Sequence, residues 1–232
     1  TLASPIFPAN ETRERMQNLT SADFANTGLL PADSSTPATT LQLINGEQLA
    51  DFTNNLSATD QQWLKRQSFT AKAGQVAWLE NGDGVLGRAQ EDSLATLGHL
   101  PYTLPEGVYR LKESATFITL LGWGLGSYAF NRYKAAEREP AQLILPDSAD
   151  AAELINTVAA TYLTRDLINT PAQDMAPSHL QAEVEALATT FEATVITVVG
   201  DELLDLECGA IHAVGRAADD PPRLMDLTWG DP

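Results

Sequence analysis

The chain has 232 residues, with 31 acidic against 14 basic side chains and a formal net charge of -17. A field of that sign repels phosphate backbones and anionic lipid heads, so nucleic acid is disfavoured as a partner and a solvated acidic surface is expected. Hydrophobic residues at 44%, charged residues at 19%, four Trp and seven Phe give the composition of a folded globular protein, long enough for one large domain or one and a half ordinary ones.

The first thirty-odd residues hold Pro5, Pro8, Pro31 and Pro37 among many Ser, Thr, Asn and Asp, and are expected to run irregularly over the surface. The start, TLASPIFPANETRERM, has no basic stretch followed by an apolar one and does not read as a signal peptide. It also lacks an initiating Met, which suggests a trimmed chain. No apolar run approaches the ~20 residues that span a bilayer.

Leu41–Ile44 is a short apolar segment, and SATDQQWLKRQ from Ser57 predicts a helix entered through a Thr59/Asp60 cap region. Gln75–Leu79 and Val85–Arg88 flank Asn81-Gly82-Asp83-Gly84, a hairpin signal. From Ser114, Phe117, Leu120, Leu121, Leu125 and Tyr128 fall on one stripe at helical spacing, with Arg132 and Lys134 near the end where cations suit the macrodipole. Gly122, Gly124 and Gly126 do not meet the GxGxxG phosphate fingerprint and predict a closely packed neighbour.

Ala141–Leu145 is a strand candidate, broken by Pro146 before a helix from about Ala149 to Asp166 that carries Leu154, Val158, Thr161, Tyr162 and Arg165 near one face. Beyond it, Leu180, Val184, Leu187 and Phe191 mark another helix with an apolar stripe. ATVITVV from Ala193 reads as a strand buried on both faces of a parallel sheet, DELLDLE as a short helix, and Ile211–Val214 and Arg223–Trp229 as further strands.

RDLINTPAQDM from Arg165 to Met175 is by itself a helix exit and a fixed loop. Pro171 pushes Thr170 out of the α region, and Pro177 suits the first turn of the next helix. The same string resembles the segment that joins the two domains in the leucyl aminopeptidase (cytosol aminopeptidase) family. The resemblance extends through Gly209, Ala210, Val214, Gly215, Arg216 and the Pro221-Pro222-Arg223-Leu224 turn. Upstream, GSYAFNRYK from Gly126 is similar to the last long helix of the family's N-terminal domain. One departure is Ala176, where the family usually places Thr before the Pro; a missing N-cap side chain costs about 1 kcal/mol.

The resemblance implies an α/β protein: an N-terminal α/β domain over residues 1–146, a connecting helix and loop over 147–170, and over 171–232 the first strands and helices of a three-layer α/β/α peptidase domain. It further implies a parent that removes N-terminal residues, often Leu, from peptides with two divalent ions, manganese or zinc, commonly as a homohexamer in the cytoplasm. The family's Lys/Asp-bearing Gly-rich segment and its Asn-Thr-Asp-Ala-Glu-Gly-Arg-like segment are absent from this sequence, so no residue is carried over as a catalytic group, metal ligand or cofactor contact. The chain alone is expected to be inactive.

Rival assignments of single residues are weaker. His99, His179 and His212 lack HxxxH or CxxC spacing and read as structural or surface histidines. Cys208, the only cysteine, excludes an internal disulfide, favours a reducing compartment and reads as a small apolar residue. Asp201, Glu202, Asp205 and Glu207 complement a helix start. Two other functions fit the same chain: a non-catalytic assembly or regulatory module, and a small-ligand-binding α/β domain.

Overall fold

The structure is a computed structural model and describes residues 24–33 and 35–230. The irregular course expected of the first thirty-odd residues falls mostly outside that range. The chain divides into two compact units, one of Ala22–Tyr162 and one that takes in the residues from Leu163 onward.

The first unit is built on a six-stranded sheet ordered β1-β6-β5-β2-β4-β3. Its strands are β1 (Leu29–Leu30), β2 (Thr39–Ile44), β3 (Val76–Trp78), β4 (Gly84–Gly87), β5 (Val108–Leu111) and β6 (Gln142–Ile144). All pairs are parallel except β3 with β4, the hairpin announced by Asn81-Gly82-Asp83-Gly84. Two short helices, α1 (Leu49–Asn54) and α2 (Ala58–Arg66), follow β2. The cap of α2 is Ser57, whose side chain accepts the Asp60 N–H at 3.0 Å, rather than the Thr59/Asp60 pair.

Side-chain alternation along the strands feeds two cores. Ile44, Ala77 and Val85 meet Leu64 of α2 on one face. Leu41, Leu43, Leu86, Tyr109 and Leu143 face the opposite side. There they meet α3 (Leu94–Gly98), α4 (Leu100–Thr103), α5 (Phe117–Gly126) and α6 (Ala151–Asn169), with Leu154, Ile155 and Val158 of α6 fully buried. Trp123, also fully buried, donates its indole N–H to Gly28 O at 2.9 Å and Ala141 O at 3.2 Å, fixing α5 across β1 and β6.

The close neighbour expected of the α5 glycines is α3 for Gly122 and Gly126, and Val158 with Leu29 for Gly124. A Cβ on Gly122 would overlap the Leu94 carbonyl oxygen, and one on Gly126 the Gly98 carbonyl oxygen. The helix itself is shorter than the stripe implied. It ends at Gly126, with Ser127 as C-cap, and residues 127–134 are not helical. Three glycines in five residues weaken propagation. The aromatic residues beyond find partners elsewhere, Tyr128 edge-on to Tyr162 at 5.0 Å and Phe130 to Tyr133 at 5.8 Å.

In the second unit, α7 (Pro177–Phe191) is followed by β7 (Thr194–Val199), α8 (Glu202–Asp205), α9 (Gly209–Gly215) and β8 (Arg223–Thr228). Three expectations fail here. β7 pairs antiparallel with β8, and Ile196 is 61% exposed, so the strand is not buried on both faces. Ile211–Val214 lies in α9, not in a strand, because a four-residue run has no period of its own and Ala210 and Ala213 suit a helix. The stripe on α7 is displaced as well: Leu180 and Phe191 are exposed, whereas Glu183 and Ala188 are buried.

Candidate functional site

The family-like segment forms the passage from α6 into α7. Thr170 is buried and closes α6 by donating its hydroxyl to Asp166 O at 2.6 Å. Pro171 then ends the helix, since it blocks the α conformation of Thr170. The Asp174 N–H returns to Pro171 O at 2.8 Å, a tight turn, and Pro177 occupies the first position of α7, where its missing N–H is no loss.

Ala176, the N-cap of α7, has no side chain able to accept a helix N–H. The vacancy is filled from the turn before β8. Asp220 Oδ2 accepts the Ser178 N–H at 2.7 Å, the bond an N-cap side chain would otherwise make. Arg223 holds Asp220 in place, Nη2 to Oδ1 at 2.6 Å, and also donates from Nη1 to Gln181 Oε1 of α7. His179 Nδ1 accepts the Ala176 N–H at 3.0 Å, so a second orphan donor is met.

Burial pushes the Asp220 carboxyl upward. The Ser178 N–H and hydroxyl, the Arg223 guanidinium and the nearby His179 outweigh it and hold the group below the usual carboxylate value. The Pro221-Pro222-Arg223 turn therefore clamps the start of α7. Sequence reading missed this clamp, although its signal was present: an uncapped Ala176 in the same unit as the Asp219-Asp220 pair.

The other singled-out residues are dispersed. His99 sits in the first unit, its ring nitrogens 3.3 Å from Ala95 O and 3.2 Å from Gly74 O. His212 meets Asp201 Oδ1 at 2.9 Å, which takes Asp201 out of a purely solvated role, while Glu202, Asp205 and Glu207 are exposed. Cys208 precedes α9, partly buried, with its thiol 3.5 Å from Leu206 O. Among the described residues no three His, Cys, Asp or Glu side chains stand close enough to share an ion, so these residues do not fit the donor set of a metal pair.

A model of the M17 aminopeptidase N-terminal domain matches residues 39–146, and one of the cytosol aminopeptidase family catalytic domain matches residues 162–232. The crystal structure of the cytosol aminopeptidase from Coxiella burnetii superposes with a TM-score of 0.78 at 35% identity, over 88% of this chain and 46% of that one. A probable cytosol aminopeptidase of Corynebacterium efficiens is 30% identical over 218 residues, 81% of this chain and 42% of its own length. A bottromycin maturation enzyme in complex with Mn shares the fold, with a TM-score of 0.63 at 22% identity over 85% of this chain and 46% of that one. The chain thus spans less than half the length of these relatives.

Proposed function

The chain belongs to the cytosol aminopeptidase (leucyl aminopeptidase) family, and we propose that it is the front portion of a metal-dependent exopeptidase that removes N-terminal residues, leucine among them, from peptides. The observation that carries this reading is the succession along one chain of the N-terminal domain match and the catalytic domain match, with the Arg165–Met175 passage at the start of the second.

In this proposal residues 1–146 are the N-terminal domain, 147–170 the connection and 171–232 the opening of the catalytic domain. In this reading the metal chemistry belongs to the family's Lys/Asp-bearing Gly-rich segment and its Asn-Thr-Asp-Ala-Glu-Gly-Arg-like segment, which are absent from this sequence. Two divalent ions, manganese or zinc, would there polarise the scissile carbonyl and supply the nucleophile. The manganese of the bottromycin enzyme fits that choice of ion. What this chain contributes is position: the Asp220–Arg223 clamp fixes the entry of α7 against the turn that launches β8. The parent would work in the cytoplasm as a homo-oligomer, a hexamer by family likeness.

Translating the parent gene on both sides of this span tests the proposal. A Lys/Asp-bearing Gly-rich segment followed by an Asn-Thr-Asp-Ala-Glu-Gly-Arg-like segment is expected. A parent without either would favour the non-catalytic module.

A further inference from the structure

Two acceptors of different chemistry hold the start of α7. Asp220 Oδ2 takes the Ser178 N–H at 2.7 Å, and His179 Nδ1 takes the Ala176 N–H at 3.0 Å. A backbone N–H can only donate, so Nδ1 carries no proton and the ring is the neutral tautomer with its hydrogen on Nε2. Protonation places a second donor on Nδ1. Two N–H groups would then face each other at 3.0 Å, and the hydrogen bond becomes a repulsion. The positive end of the helix macrodipole also opposes a cation at this position.

The ring is half-buried. The charged side chains on the elements around it are Asp174 in the loop before α7, Glu183 one turn on, and Asp219, Asp220 and Arg223 in the turn that launches β8. Asp226 alternates with Arg223 along β8 and so faces the other way. Asp220 is the carboxylate on which the charge of the ring acts, and Arg223 Nη2 holds its Oδ1 at 2.6 Å. That carboxyl lies below the usual range, whereas an imidazole ordinarily changes charge between about pH 5 and 8. The two bonds at this helix start therefore answer to different protons.

We infer that His179 is a proton-operated latch on the passage from α6 into α7. Neutral, it holds the Ala176 N–H and with it the end of the loop that begins at Pro171. Protonated, it releases that N–H and turns its Nδ1–H toward the Asp220 carboxylate, while Ser178 keeps its bond. The helix start opens by one bond, and the loop is freed back to the turn that the Asp174 N–H closes on Pro171 O. The inference rests on the clamp geometry and does not depend on the peptidase assignment.

The test is NMR of the isotope-labelled chain from about pH 8.5 to 5, with His179→Gln measured beside it. At the alkaline end the His179 ring should carry hydrogen on Nε2 alone. As the ring takes up its second proton, amide exchange at Ala176 should rise about tenfold relative to Ser178, with the ring and the ratio sharing one midpoint. The ratio cancels the common effect of pH on exchange. Gln at position 179 keeps an acceptor for the Ala176 N–H and does not titrate, so its ratio should stay flat; an unchanged Ser178 amide signal would establish that the variant keeps the helix start. Hydrogen on Nδ1 at the alkaline end, a flat ratio across the ring's titration in the wild type, or the same step in His179→Gln would overturn the inference, and the first two readouts need no variant.

Discussion

Asp220 reaches back 42 residues to accept the Ser178 N–H at 2.7 Å, so the helix whose N-cap is an alanine is capped by a carboxylate from another turn. Asp220→Ala should lower stability by about 1–2 kcal/mol, the usual effect of losing a cap. Ala176→Thr should matter little in the wild-type background, because the Ser178 N–H already has its partner, and should restore most of the loss in Asp220→Ala. Denaturant unfolding of the wild type, the two single variants and the double variant checks this; strict additivity would mean the two positions do not share one hydrogen bond.

The same clamp sets a pH dependence. The folded-state carboxyl of Asp220 lies below its ordinary value, so its contribution is fully present above the unfolded pKa of about 3.9 and is lost as pH falls through the lower folded value. Asp33 behaves in the same sense. The Thr36 hydroxyl, then the Ser35 hydroxyl and N–H, bring its carboxyl down to about 2. Carboxyl NMR titration should find both groups below 3.9, and an Asp220 midpoint at or above that value would remove the clamp's electrostatic basis.

Gly126→Ala tests the packing of α5 on α3. Propensity alone predicts a gain of up to about 1 kcal/mol in a helix. The new methyl would instead fall on the Gly98 carbonyl oxygen, so a loss of about 2 kcal/mol or more is expected. A thermal melt at or above the wild-type midpoint would show that the two helices separate more easily than their contact suggests.

The elements that were legible in the sequence are those with a long period or explicit punctuation. Leu154, Val158, Tyr162 and Arg165 recur through three turns of α6, Pro171 and Pro177 bracket the passage between helices, and Asn81-Gly82 gives the β3–β4 turn. What escaped depended on pairing distant in sequence. Nothing within Thr194–Val199 says that its neighbour is antiparallel β8, and a four-residue run such as Ile211–Val214 suits a strand or a helix equally. The end of α5 was misplaced because the stripe continues through Tyr128 while the glycines and Ser127 stop the backbone.

The second unit exposes apolar side chains that a buried sheet would cover: Ile196 at 61%, Val214 at 85% and Trp229 at 71%. Surface of that kind associates. Hydrogen exchange should show less protection over residues 193–229 than over 100–146 in dilute solution, and protection should rise with protein concentration only in the former. Equal protection of both regions in a demonstrated monomer at every concentration would show the second unit to be self-sufficient.

We propose above that this chain is the front of a metal-dependent aminopeptidase. The most direct measurement is leucyl amide hydrolysis by the full-length parent and by the 232-residue chain, each with added Mn²⁺ or Zn²⁺ and after chelation. Turnover by the parent that chelation abolishes and metal restores is expected, and none by the chain. A parent inactive with every metal, or metal-dependent turnover that co-purifies with the chain, would contradict it.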